Sequence, residues 1–108
     1  MSVDANEPGE RARLVIRNGG FEGMIYEIEA IETLIGRNPT TDITLLDEGI
    51  SREHAIIQFD PDTGDYSVED LQSTNGTKVN GKRVRNSVLK SGDEVQVGHT
   101  RFQFLIGD

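Results

Sequence analysis

Apolar and polar residues alternate with a period of two along much of this chain. Glu94-Val-Gln-Val-Gly98 and Arg101-Phe-Gln-Phe-Leu-Ile106 are the clearest cases. Each can bury one face and leave the other in water. Residues 13–17, 24–29, 33–36, 42–46, 55–59 and 66–70 are further short strand candidates, rich in Ile, Val, Leu and aromatics. Turn sequences punctuate them. Asn18-Gly19-Gly20 follows the first, and Pro61-Asp-Thr-Gly64 joins two others. Asn80-Gly81 lies between arms carrying Val79 and Val84. A type I′ turn needs positive φ at both central residues, so this spacing predicts a hairpin. The best helical candidate runs from Tyr26 to Leu34, and its Ile and Thr content favours strand. The pattern predicts an all-β, helix-poor sandwich or barrel with its function on loops gathered at one end.

Composition narrows the classes of function. The 108 residues make one domain. Leu, Ile, Val and Phe total 29, enough for a modest core. There is no Cys, which excludes a disulfide framework, a thiolate metal site and a cysteine nucleophile. With two His, a multi-histidine metal site is not expected, nor is any cofactor. No apolar run approaches the roughly 18 residues of a membrane span. Residues 1–10 lack the basic start and apolar stretch of a signal peptide, so a cytoplasmic protein is expected. The same residues carry Asp4, Glu7 and Glu10, no Lys or Arg, and Pro8-Gly9. They are expected to form a disordered acidic tail ahead of a folded domain at residues 11–108. A net charge of −8 argues against nucleic acid or anionic membrane as the main partner. A local basic site remains compatible with it, because charges beyond about 8 Å are largely screened at physiological salt.

Several enzyme-like fragments fail on inspection. Gly76-Thr-Lys-Val-Asn-Gly81-Lys82 imitates a phosphate-cradling P-loop, but Arg83 stands where a hydroxyl should hold Mg²⁺, and the segment is a hairpin. Asp60-Pro-Asp62-Thr-Gly64-Asp65 imitates a calcium loop, but Gly64 falls where an acid belongs and Leu71 where the closing Glu belongs. Ser51 and His54 are a conceivable Ser–His pair with neither an orienting third group nor an oxyanion hole in view. A non-enzymatic protein is expected.

The remaining polar residues fall on loops between strands. Gly36-Arg37-Asn38-Pro39 follows one strand, Ser51-Arg52-Glu53-His54 precedes another, and Ser73-Thr74-Asn75-Gly76-Thr77 follows a third. Gly-Arg, then Ser-x-x-His, then Asn-Gly, in this order and at these spacings, resembles the forkhead-associated (FHA) domain family, and the likeness runs from about Arg13 to Ile106. The resemblance implies an eleven-stranded β-sandwich of the FHA/SMAD type, with antiparallel-type sheets and binding loops at one apex. It implies binding of phosphothreonine-containing protein, a Ser/Thr kinase or its substrate. Carried over position by position, Arg37 would salt-bridge the phosphate and Ser51 would donate its hydroxyl to it. Arg52 would add a further phosphate contact. Thr74 would touch the phosphate or the peptide backbone, and Asn75 would hold the peptide main chain. Gly36, His54 and Gly76 would support the loops. A phospho-independent interaction or self-association scaffold on the same fold is the alternative.

These residue types suit that chemistry on physical grounds as well. A phosphomonoester carries roughly −1.5 to −2 charge and three acceptor oxygens. A guanidinium offers paired donors that it cannot lose by deprotonation. An Asn side chain supplies both a donor and an acceptor, as an extended backbone requires. Asp47 and Glu48 are expected to form a solvated loop face; the resemblance implies that the loop before Ser51 reads residues downstream of the phosphothreonine, so these acids would disfavour acidic residues there.

Overall fold

The alternating segments become strands of two packed sheets. The computed structural model describes residues 11–107; the expected acidic tail at residues 1–10 lies outside them. In chain order the strands are β1 (Ala12–Ile16), β2 (Ile25–Ile28), β3 (Glu32–Gly36), β4 (Ile43–Thr44), β5 (Ala55–Asp60), β6 (Asp65–Asp70), β7 (Thr77–Val79), β8 (Lys82–Val84), β9 (Asn86–Leu89), β10 (Glu94–Val97) and β11 (Thr100–Ile106). Among the described residues there is no helix. One sheet has the order β2-β1-β11-β10-β7-β8, the other β4-β3-β5-β6-β9. Every pairing is antiparallel except β3 with β4, which run parallel. The eleven-stranded, helix-poor sandwich agrees with the expectation from sequence.

The core is the inward half of the period-two pattern. Leu14 and Ile16 of β1, Val95 and Val97 of β10, and Phe102 and Phe104 of β11 face Ile35, Ile57 and Val68 of the other sheet, all essentially sealed from water. Tyr66 ties the layers together, with its ring 4.8 Å from Phe59 in its own sheet and 5.4 Å from Phe104 across the sandwich. Tilted aromatic pairs at these separations add about 0.5–1.5 kcal/mol each beyond the area they bury. Asn80 (φ 53°) and Gly81 (φ 86°) adopt the two left-handed conformations the hairpin demands.

Two elements differ from expectation. The candidate at residues 42–46 pairs only at Ile43 and Thr44, because β4 runs parallel to β3 and then leaves it. Leu45 turns into the core while Leu46 is 84% exposed. Strand β9 was not among the expected strands. It pairs with β6 at the sheet edge and leaves Val88 exposed, so its residues lack the apolar alternation of a half-buried strand.

Candidate functional site

Loop β3–β4 is built around Gly36 and Thr41. Gly36 ends β3 against the backbone of the next loop, where a Cβ would run into the Arg52 carbonyl oxygen. That close approach brings the two loops into register: the Arg37 N–H donates to the Ser51 carbonyl (3.1 Å) and the Asn38 N–H to the Arg52 carbonyl (3.1 Å). Buried Thr41 braces the turn by donating to the Asn38 carbonyl at 2.7 Å. Arg37 is thereby held at the loop tip. Its Nε donates to the Ile50 carbonyl at 3.1 Å, while its two terminal nitrogens have no hydrogen-bond partner among the described residues. Arg37, Asn38, Pro39 and Arg52 line one open depression. Among the described residues neither guanidinium has an acidic partner.

His54 joins this pair of loops to loop β6–β7. It is fully buried. Its Nδ1 accepts the Ser51 N–H (3.0 Å) and its Nε2 faces the Gly76 carbonyl (2.8 Å). The first contact requires a lone pair on Nδ1, so the proton sits on Nε2 and the ring is the neutral tautomer that donates to Gly76. The Ser51–His54 pair is therefore no nucleophile and base: the imidazole meets the serine's backbone N–H rather than its hydroxyl. The hydroxyl oxygen instead accepts the Thr74 N–H at 3.0 Å.

Loop β6–β7 is wound on Asp70. Its Oδ1 accepts from Ser73 Oγ (2.5 Å) and Thr77 Oγ1 (2.8 Å), and its Oδ2 from the Ser73 N–H (3.1 Å). Ser73 Oγ in turn accepts the Gly76 N–H at 2.9 Å. Burial raises the Asp70 pKa, but the hydrogen bonds from Ser73 and Thr77 outweigh it and hold the carboxyl below its ordinary value. Gly76 closes the loop at φ 84°, with the Arg83 side chain against its Cα face. Thr74 and Asn75 project at the tip, and Asn75 Nδ2 reaches across to the Gly49 carbonyl at 2.9 Å.

A second clamp lies beneath loop β4–β5. Asp47 accepts from the backbone N–H groups of Gly49 (2.8 Å) and His99 (2.7 Å) and from the Thr100 hydroxyl (2.8 Å), and it contacts His99 Nδ1 at 3.1 Å. Its side chain is 12% exposed. Burial again raises its pKa, and these hydrogen bonds overcome that to leave it lowered. The expectation of a solvated acidic face at Asp47 is thus corrected: this carboxylate anchors the loop to the β10–β11 turn. Glu48 is exposed, as expected.

Arg37, Ser51, Arg52, Thr74 and Asn75 thus come together at one end of the sandwich, with Gly36, His54 and Gly76 beneath them. Asp70 and Arg83 were missed as parts of it, as was the anchoring role of Asp47, Ser73 and Thr77. The nearest sequence signal was the Asp-x-x-Ser spacing of Asp70 and Ser73, which suits a local side-chain turn.

Such a constellation defines a binding module whose recognition surface is made by loop tips on a rigid two-sheet scaffold. The chain belongs to the FHA domain family, whose sequence model matches residues 33–98. It is similar to the glycogen accumulation regulator GarA of Mycolicibacterium smegmatis, with 41% identity over 93% of this chain and 62% of that one. It is also similar to the oxoglutarate dehydrogenase inhibitor of Corynebacterium efficiens, with 39% identity over 94% of this chain and 70% of that one. The chain therefore spans about two thirds of the length of these curated relatives. Among solved structures, the N-terminal FHA domain of S. cerevisiae Rad53p in complex with a phosphothreonine peptide matches with a TM-score of 0.78 and 28% identity, over 90% of this chain and 94% of that one. No helix among the described residues is long and apolar enough to cross a membrane.

Proposed function

We propose that this chain is a non-catalytic signalling module that binds a phosphothreonine-containing segment of a partner protein, a Ser/Thr kinase or its substrate, at the loop apex. The observation that carries this is the state of Ser51. Its hydroxyl oxygen is occupied by the Thr74 N–H, so its one hydrogen is left to donate. Its carbonyl accepts the Arg37 N–H at 3.1 Å and Arg52 is the next residue, and neither guanidinium has an acidic partner among the described residues. A dianionic phosphate would accept from all three. Asn75 spends one amide hydrogen on Gly49 and keeps its Oδ1 and second hydrogen for an extended peptide backbone. Charge-assisted bonds contribute about 1.5–3 kcal/mol each. Two or three of them, offset by ordering costs, give affinities around micromolar. The names of the relatives, a glycogen accumulation regulator and an oxoglutarate dehydrogenase inhibitor, favour a setting in cytoplasmic metabolism.

The test is fluorescence anisotropy against a degenerate phosphothreonine peptide library with phosphoserine and unphosphorylated controls. Micromolar binding that requires phosphothreonine and weakens by about 2 kcal/mol or more in Arg37→Ala is expected. Equal binding of the unphosphorylated library, or an unchanged dissociation constant in a folded Arg37→Ala variant, would transfer the function to a phospho-independent scaffold.

A further inference from the structure

The outward face of the six-stranded sheet carries a transverse row of positive charge just below the apex. Lys78 of β7 pairs directly with Arg83 of β8, and on its other side with Gln96 of β10. Gln96 pairs with Arg101 of β11. Arg17, the residue after β1, continues the row through its N–H to the Arg101 carbonyl at 2.8 Å. All four cations are exposed, while the residues alternating with them (Val79, Val97, Phe102 and Ile16) are buried. Like charges directly opposite one another destabilise a sheet, and this row contains two such pairs, Lys78–Arg83 and Arg17–Arg101. The chain is rich in acids, yet among the described residues none pairs with any of the four. Glu94, two residues along β10 from Gln96, is the nearest acid on this face of that strand, and it is not in an ion pair. Stability does not explain the row.

The row opens onto the apex. Asn75, Gly76, Lys78, Gln96, Gly98 and His99 line one polar depression, so the Asn75 tip and the start of the row share a surface. Five adjacent strand positions at a spacing of about 4.8 Å span about 19 Å, the length of roughly six residues of extended chain. Building on phosphothreonine recognition at the apex, we infer that the flank of the bound segment passing Asn75 crosses this row, and that the module selects phosphothreonine segments with an acidic run in that flank. A polyanion such as duplex DNA or an anionic bilayer suits the row less well. It would extend past the row onto a molecule whose net charge is −8.

The test uses one phosphothreonine core peptide extended on either side by six acidic or six neutral residues, each with an unphosphorylated copy, titrated at low and physiological salt. An acidic flank on one side should tighten binding about tenfold at low salt. A neutral flank should match the bare core. The gain should vanish in a Lys78→Glu/Arg101→Glu variant that still binds the bare core normally. Equal affinity for acidic and neutral flanks, with the core still bound, would overturn the inference and leave phosphothreonine recognition standing. So would a gain that survives the double variant. Absence of binding to every phosphopeptide would overturn both. Equal binding of the unphosphorylated acidic peptide, or its displacement by duplex DNA or phosphatidylserine vesicles at equal charge, would assign the row to another partner.

Discussion

The Ser51 hydroxyl oxygen accepts the Thr74 backbone N–H at 3.0 Å, across a sequence separation of 23 residues. One side chain thus sets the distance between two loops and aims its own remaining hydrogen. The Thr74 N–H is exposed and can turn to water when the oxygen is removed. Ser51→Ala should therefore change stability little, while phosphothreonine binding falls by about 1.5–3 kcal/mol through the lost charge-assisted bond. Calorimetric titration beside a thermal melt separates the two effects. Unchanged affinity would show that the hydroxyl is only a loop fastener.

Gly36 offers a different kind of test, because its neighbour is backbone and cannot rotate away. A methyl group there meets the Arg52 carbonyl, so β3 or the Ser51–Arg52 loop must shift. Gly36→Ala should lose about 1–3 kcal/mol of stability and weaken phosphopeptide binding as well, since the same shift displaces Arg37. Gly20→Ala, whose added methyl meets nothing within 4 Å, is the control. Urea denaturation of the two variants should differ clearly.

Much of the scaffold could be read from the chain because β-strands buried on one face announce themselves by alternation. Phe102 and Phe104, or Val95 and Val97, could hardly point elsewhere. Strand β9 was silent for the complementary reason: an edge strand with Val88 in solvent and Leu89 as its one buried apolar residue has too short a stripe to reveal. Arg37, Ser51 and Asn75 stood out because short motifs held their spacing. Asp47 did not, since its partners Thr100 and His99 lie more than fifty residues away. An acid next to Glu48 reads as a solvated pair until the fold brings the β10–β11 turn beneath it. The row from Arg83 to Arg17 is likewise a product of strand order, invisible in a chain whose net charge is acidic.

Asp47 and Asp70 make the loop apex sensitive to acid. Both carboxyls titrate below the ordinary Asp value in the folded protein, because hydrogen bonds to the charged form outweigh burial. A folded pKa below the unfolded one means the unfolded chain binds more protons in that range, so stability rises with pH there. Their contribution should be fully present above about pH 5 and drain away as pH falls through about 4 and below. Urea denaturation should show wild-type stability falling over this range, and Asp47→Asn and Asp70→Asn should each fall less steeply. An asparagine variant with the wild-type slope would mean that its carboxylate is not stabilised by folding.

Phosphate recognition should impose a second pH dependence, at higher pH and on the ligand. The second ionisation of a phosphothreonine has a pKa of about 6, whereas guanidinium groups stay charged throughout this range. If Arg37, Arg52 and Ser51 grip the dianion, only that fraction of the peptide binds well. Affinity should then fall roughly fourfold between pH 7.5 and 5.5, and about tenfold by pH 5. The protein contributes little to this change if its acid-sensitive carboxylates titrate lower. A control peptide bearing a fluorinated phosphonate, which remains dianionic at lower pH, isolates the ligand's share and should hold its affinity to pH 5.5. A flat profile for the phosphate peptide would mean that the monoanion suffices and that one guanidinium does most of the holding. A profile that falls equally for both peptides would place the titrating group on the protein.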